Sequence, residues 1–253
     1  MRLGALLLIA AGLSLTSGAF AQGAKPADSG CILDNCADKK PMPPQPPASD
    51  SARERPRPRG ASVPGEFDFY VLSLSWSPGF CETTGAEKHR RQCDAGSGLG
   101  FVVHGLWPQY ESGFPSDCGP PGRSPSRIAV EAAKSVYPDL NLARYEWRKH
   151  GTCSGKSPTD YFADVRRARD AIEIPPLFRS ASDRQTWTPI DIERAFIASN
   201  SKLRPDMMGI ACRRGVLEEV RICFSKELRE FRTCPQVSEG SCRARELRVP
   251  APL

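Results

Sequence analysis

The run "ARYEWRKHGTC", residues 143–153, places a carboxylate, an ammonium and an imidazole at positions 146, 149 and 150. On a helix of 3.6 residues per turn, Glu146, Lys149 and His150 fall within one arc of about 100°. An imidazole, titrating near pH 6.5 when unperturbed, can take up or release a proton at physiological pH beside such groups. The same triplet is also what a solvated helix face with i, i+4 charge pairs looks like. A second segment tips the balance. In "FVVHGLWP" an apolar strand ends on His104 and turns at Gly105, a way of holding a side chain rigidly at a rim. Two of the three histidines, His104 and His150, thus sit at element ends; His89, in the charged run "GAEKHRRQC", reads as surface.

Attack by the 2′-hydroxyl of RNA on its neighbouring phosphorus needs a base for that proton, an acid for the departing 5′-oxygen and a cation near the phosphoryl oxygens. Two imidazoles, a lysine and a carboxylate supply these without a metal or other cofactor, so the expected partner is an RNA substrate. A zinc site built from His150 and Cys153 is the poorer reading. The spacing "HGTC" matches no common zinc pattern, and an oxidised cysteine is no ligand.

"HGLWP" (104–108) and "EWRKHGTC" (146–153) resemble the two active-site segments of the ribonuclease T2 family of secreted endoribonucleases. "FDFYVLSLSWSPGFC" resembles the family's first core strand and "VRICFSKELREFRTC" its last disulfide-bonded strands, so the likeness runs from about Glu66 to Cys242. The resemblance implies an α+β fold with a mainly antiparallel central sheet flanked by helices. It also implies metal-independent cleavage of single-stranded RNA, with low base specificity, through 2′,3′-cyclic phosphates to 3′-phosphate ends, often with an acidic optimum. Carried over residue by residue, it makes His150 the base of the first step and His104 the acid. Glu146 and Lys149 would stabilise the five-coordinate phosphorus, and Trp107 would shape the pocket. Many family members carry a phosphate-binding histidine just before the glutamate, where this chain has Tyr145. A phenol donates one hydrogen bond but brings no positive charge, leaving Tyr145 as a substrate contact or a packing residue. A catalytically weak RNA-binding or extracellular interaction protein on the same scaffold is the alternative, but a pure binder has no need of both histidines with the glutamate and lysine.

The elements that must position these groups are legible in outline. "FDFYVLSLSW" alternates, with Phe67, Phe69 and Val71 on one face and Tyr70, Leu72, Leu74 and Trp76 on the other; both faces are apolar, as in a central strand. "LGFVVHGLWP" predicts a second strand stopped by Gly105 and Pro108. Ser157-Pro158 and Thr188-Pro189 each predict a hydroxyl cap with proline at the first helical position and aspartate at the third. Residues 143–150 are expected to be a short helix ended by Gly151 in a left-handed cap. "GVLEEVRICFSKELREFRTC" predicts a strand and hairpin. Trp76, Phe80 and Tyr110 are candidates for stacking on bases, Trp76 favouring the core, and the pairs Arg90-Arg91, Arg166-Arg167 and Arg213-Arg214 for phosphates or plain surface.

Composition sets the frame. With 253 residues, 40% of them hydrophobic, the chain can bury one sizeable core or at most two small ones. Met1-Arg2, the apolar "LGALLLIAAGLSL" and Ala19-Phe20-Ala21 read as a signal peptide over 1–21, hence a periplasmic or secreted protein, soluble and expected to be a monomer. Its removal takes Arg2 and lowers the formal charge from +6 to +5. Residues 22–62 read as an appendage with Cys31 and Cys36 followed by a proline-rich arm, and 63–253 as the folded domain. Ten cysteines in an exported chain favour disulfides. Position suggests Cys31 with Cys36, Cys81 with Cys93 and Cys118 with Cys153, leaving open how Cys212 and Cys223 pair with Cys234 and Cys242.

Overall fold

A computed structural model describes residues 62–85, 91–119, 124–179 and 182–252. The signal segment, Cys31, Cys36, the proline-rich arm and His89 lie outside these residues. Strand β1 (Phe69–Trp76) is buried along its whole length, as two apolar faces require. It pairs antiparallel with β2 (Phe101–Gln109) on one side and β5 (Val216–Ser225) on the other. β4 (Met208–Arg213) also pairs antiparallel with β5, and β3 (Gln185–Trp187) with β6 (Leu247–Val249). The one parallel contact sets Val216 of β5 opposite Arg248 of β6, giving the order β2-β1-β5-β6-β3 with β4 branching from β5. The fold is α+β on a mainly antiparallel sheet.

Each face of that sheet has its own partner. Tyr70, Leu72, Leu74, Trp76, Val103 and Leu106 lie in the large core with the helices, whereas Phe69, Val71, Cys223 and Cys234 form a smaller cluster with Trp107. The helices are α1 (Ser77–Phe80), α2 (Arg127–Ala133), α3 (Leu140–Lys149), α4 (Pro158–Asp170), α5 (Pro176–Arg179), α6 (Pro189–Ser199) and α7 (Pro235–Ser238). Ser157 and Thr188 cap α4 and α6 by accepting from the N–H of Asp160 and Asp191, as their Pro-x-Asp context requires.

Two expectations need correction. β2 is not stopped at Gly105 and Pro108 but runs through both to Gln109; as the sheet's edge strand it tolerates a residue that cannot donate to a ladder. α3 begins at Leu140, where the Asp139 carboxylate accepts from the N–H of Asn141, and Gly151 is not a left-handed cap. Gly151 opens a 3₁₀ turn, Gly151–Ser154, and the left-handed residue is Gly155, with φ of 73°. Glycine is needed at 151 for space: a Cβ there would lie 2.5 Å from the Trp147 ring and 3.0 Å from that of Tyr161.

Four disulfides close the described chain, Cys81–Cys93, Cys118–Cys153, Cys212–Cys242 and Cys223–Cys234, each worth about 2–4 kcal/mol. Cys118–Cys153 ties the loop after β2 to the turn after α3, each of which follows an element carrying or capped by one of the two histidines.

Candidate active site

The register of β1 against β2 pairs Ser73 with Gly105 and Leu74 with Val103, leaving His104 as the extra residue of a β-bulge. In unbroken alternation His104 would share a face with Leu106 and enter the large core. The bulge instead turns it toward the face of Gly105 and Trp107, a re-aiming typical of such irregularities. On that face the neighbouring side chains come from β5, where Glu219 stands opposite Ser75 and Arg221 opposite Ser73. The Nδ1 of His104 lies 2.5 Å from Oε1 of Glu219. Oε2 of Glu219 accepts from Nε and Nη2 of Arg221 at 2.9 and 2.7 Å.

Helix α3 closes the site from the other side. Ala143 and Trp147 anchor it in the core and carry Glu146, only 1% exposed, toward β2. Trp107 Nε1 donates to Glu146 Oε2 at 2.8 Å, and Glu146 Oε1 lies 3.7 Å from His104 Nε2. Gly105 permits this approach, since a Cβ there would stand 2.1 Å from Glu146 Oε2. His150 caps α3, its backbone N–H donating to the Glu146 carbonyl at 2.9 Å. Its Nδ1 is buried without a hydrogen-bond partner, so the other ring nitrogen is the one left to meet a ligand. Both imidazoles pack on one indole: the Trp107 ring is 5.3 Å from that of His104 and 5.4 Å from that of His150.

The two histidines are driven in opposite directions. Burial disfavours charge on His104, but the hydrogen bond and charge of Glu219, with the charge of Glu146, outweigh it and the opposing Arg221, raising its pKa above the usual imidazole value. Burial, reinforced by the charges of Lys149 and His104 and opposed by Asp117, pushes His150 down to about 4. His104 thus holds its proton more firmly than an ordinary imidazole, and His150 far less firmly. Burial pushes Glu146 up to about 7, against the charge of His104 and the hydrogen bond from Trp107. Burial would raise Glu219 too, but its bond to His104 and the charges of His104 and Arg221 hold it down to about 2.

His104, Trp107, Glu146 and His150 therefore meet, although the segments holding them are far apart in sequence. Lys149 stands aside from them: its Nζ pairs with Asp117 at 2.7 Å, and its positive field is shared with that carboxylate. Tyr145 is 49% exposed on α3 rather than packed. Of the proposed base-stacking residues, Trp76 is a wholly buried core residue whose Nε1 donates to the Pro250 carbonyl, and Tyr110 packs against the core. Phe114, 58% exposed with its ring 6.5 Å from that of His150, is better placed to receive a base. Arg167 and Arg213 pair with Asp164 and Glu218, in keeping with surface roles. The sequence reading missed Glu219, Arg221, Asp117 and Phe114. Glu219 shares its face of β5 with Arg221 and Cys223, and no local signal in the sequence separates it from its neighbour Glu218.

A disulfide-bonded α+β fold presenting two imidazoles of opposed proton affinity and a buried carboxyl around one indole defines a protein equipped for acid–base chemistry. The Ribonuclease T2 family model matches residues 67–234, and the chain belongs to that family. It is 37% identical over 172 residues to a ribonuclease of Aeromonas hydrophila, covering 67% of this chain and 77% of that one. It is 30% identical over 199 residues to ribonuclease DdI of Dictyostelium discoideum, covering 72% and 84%. Among solved structures, an RNase-related protein from Calystegia sepium shares the fold with a TM-score of 0.59 at 22% identity, over 74% of this chain and 99% of that one.

Proposed function

We propose that this chain is an endoribonuclease that cleaves single-stranded RNA with low base specificity, by general acid–base catalysis between His150 and His104. The observation that carries the reading is the pair of imidazoles packed on the one Trp107 indole, with their proton affinities driven in opposite directions. His150, neutral, takes the proton of the 2′-hydroxyl as that oxygen attacks phosphorus. His104, protonated, gives its Nε2 proton to the 5′-oxygen as the P–O bond breaks, leaving a 2′,3′-cyclic phosphate and a 5′-hydroxyl. The roles then reverse: His104 takes a proton from water, and His150 returns its proton to the 2′-oxygen, giving a 3′-phosphate. Glu146, protonated, donates a hydrogen bond to a phosphoryl oxygen where a carboxylate would repel it. Lys149 adds positive field, Trp107 shapes the floor, and Phe114 and Tyr145 offer π-faces to the flanking bases. The zinc alternative loses support from Cys153, whose sulfur is bonded to Cys118.

Residues 63–253 form the catalytic domain and work as a monomer. Residues 1–21 direct export, which fits four disulfides in the described chain, since such bonds persist in the oxidising periplasm or outside the cell. The described residues contain no helix long and apolar enough to cross a membrane. The test is incubation of the full mature chain with defined dinucleotides in EDTA. Cyclic phosphate should accumulate before 3′-phosphate and 2′-deoxy dinucleotides should stay intact; dependence on added metal, or cleavage of DNA, would reject the reading.

The pH profile follows from the same groups. kcat/KM should rise with an acid limb near pH 4, as His150 loses its proton, and fall near pH 7, as Glu146 ionises beside the phosphate. Glu146→Gln, neutral at every pH, should keep the acid limb and abolish the alkaline limb set by the carboxyl near pH 7, leaving the deprotonation of His104 to set any that remains. An alkaline limb unmoved by this substitution would remove Glu146 from the profile. Stability should respond to the same carboxyl: with its folded pKa raised, Glu146 favours folding below its unfolded pKa, and that contribution fades as pH rises toward 7.

A further inference from the structure

His104 has two nitrogens, and only one faces the chemistry. The other, Nδ1, lies 2.5 Å from Glu219, which is 6% exposed on the central strand β5. Glu219 is itself held twice, by Nε and Nη2 of Arg221 on its second oxygen. The Arg221 guanidinium in turn lies 5.3 Å from the centre of the Trp107 ring, and Trp107 donates to Glu146. One arginine thus braces both arms of the site, the carboxylate behind His104 and the indole beneath both imidazoles. We propose that Glu219 is the positioning residue of His104, fixing the proton on Nδ1 so that Nε2 always faces the substrate, with Arg221 as its anchor.

This assignment rests on His104 acting as the acid–base group described above, and it adds what that role needs. An imidazole that must donate in one step and accept in the next works from one nitrogen only if the other keeps its proton throughout. A carboxylate on Nδ1 enforces that tautomer and orients the ring. Its charge also favours the imidazolium, which burial alone would disfavour. Leaving Glu219 unpaired in this buried place would be costly. Arg221 removes that cost and leaves the first oxygen free for His104.

The charged and titratable groups facing His104 are Glu219 and Arg221 from β5, Glu146 from α3 and His150 at the end of α3. They give two substitutions opposite signs. Glu219→Gln removes the anion and should move the alkaline titration of His104, followed by NMR in the full mature chain, to lower pH. Arg221→Gln removes a cation that opposes the imidazolium and should move it to higher pH. Both should lower kcat on a dinucleotide about 10- to 100-fold, the usual effect of losing an outer partner of a functional histidine, with KM changed less than about threefold. Glu219→Asp should recover part of the loss.

His104→Ala separates the two levels of the argument. If it is inactive while Glu219→Gln keeps wild-type kcat and an unmoved His104 titration, the positioning role is wrong and the acid–base reading stands. If His104→Ala is itself active, the underlying reading is wrong. Should Glu219→Gln fail to fold, Arg221→Gln decides alone: lower kcat with an alkaline shift supports the proposal, and an unshifted or acid-shifted titration overturns it.

Discussion

Replacing His150 by alanine should lower kcat/KM on RNA by about 10⁴-fold, and replacing His104 should cost a comparable factor, since a positioned acid or base contributes about 10²–10⁴ each. The two losses differ in what rescues them. With a 3′-nucleotide nitrophenyl ester the leaving group departs as a stable phenolate and needs no proton. The His104→Ala deficit should therefore shrink to less than about tenfold, whereas the His150→Ala deficit should persist, because the 2′-hydroxyl still needs a base. Steady-state kinetics of both variants on both substrates test the assignment of roles. Rescue of His150→Ala instead would exchange them, and near-normal RNA cleavage by either variant would dissolve the pair. Stability should not follow activity: His150 Nδ1 is buried without a partner, so its removal should leave the unfolding midpoint unchanged or raise it.

What the sequence shows and what it hides divide along a physical line. The alternation of β1, the hydroxyl-proline caps of α4 and α6 and the apolar anchors of α3 are local properties, and each is visible within about ten residues. The two segments holding His104 and His150 were legible as well, because residues of those types at element ends are unusual. The aim of His104 was not legible. Alternation places it with Leu106 in the core, and only the register of β2 against β1 reveals the bulge that turns it out. Glu219 was hidden for a related reason. "LEEVR" reads as a strand with a wet edge, and nothing local tells which glutamate faces solvent and which meets a histidine 115 residues earlier. Gly105 was misread as a stop signal, because in sequence a glycine that ends a strand looks the same as one that makes room.

That misreading leads to the second large effect. Gly105→Ala should lower kcat/KM by about 10²- to 10³-fold, although position 105 touches no substrate. Its added methyl would lie 2.1 Å from Glu146 Oε2 and 2.3 Å from Trp107 Nε1, between two groups whose hydrogen bond spans 2.8 Å. The backbone at 105 is ordinary extended strand, so strain does not arise from φ. It arises from space, and neither neighbour is the loose end of a flexible chain: Glu146 is buried on α3, and Trp107 has both imidazoles and the Arg221 guanidinium packed against its ring. Relief requires α3 to retreat by about 1 Å, a displacement that typically costs about 10² in rate, and it breaks the bond that satisfies a buried carboxyl, costing a further 1–3 kcal/mol of stability. A double substitution separates the two costs. Gly105→Ala with Glu146→Ala removes the nearer contact and the hydrogen bond that holds the Trp107 indole in place, so part of the loss in unfolding midpoint should recover relative to Gly105→Ala alone while activity stays low, because the carboxyl beside the phosphate is gone. Recovery of both would make Glu146 a spacer only; wild-type activity in Gly105→Ala itself would show that the approach of α3 to β2 does not set the rate.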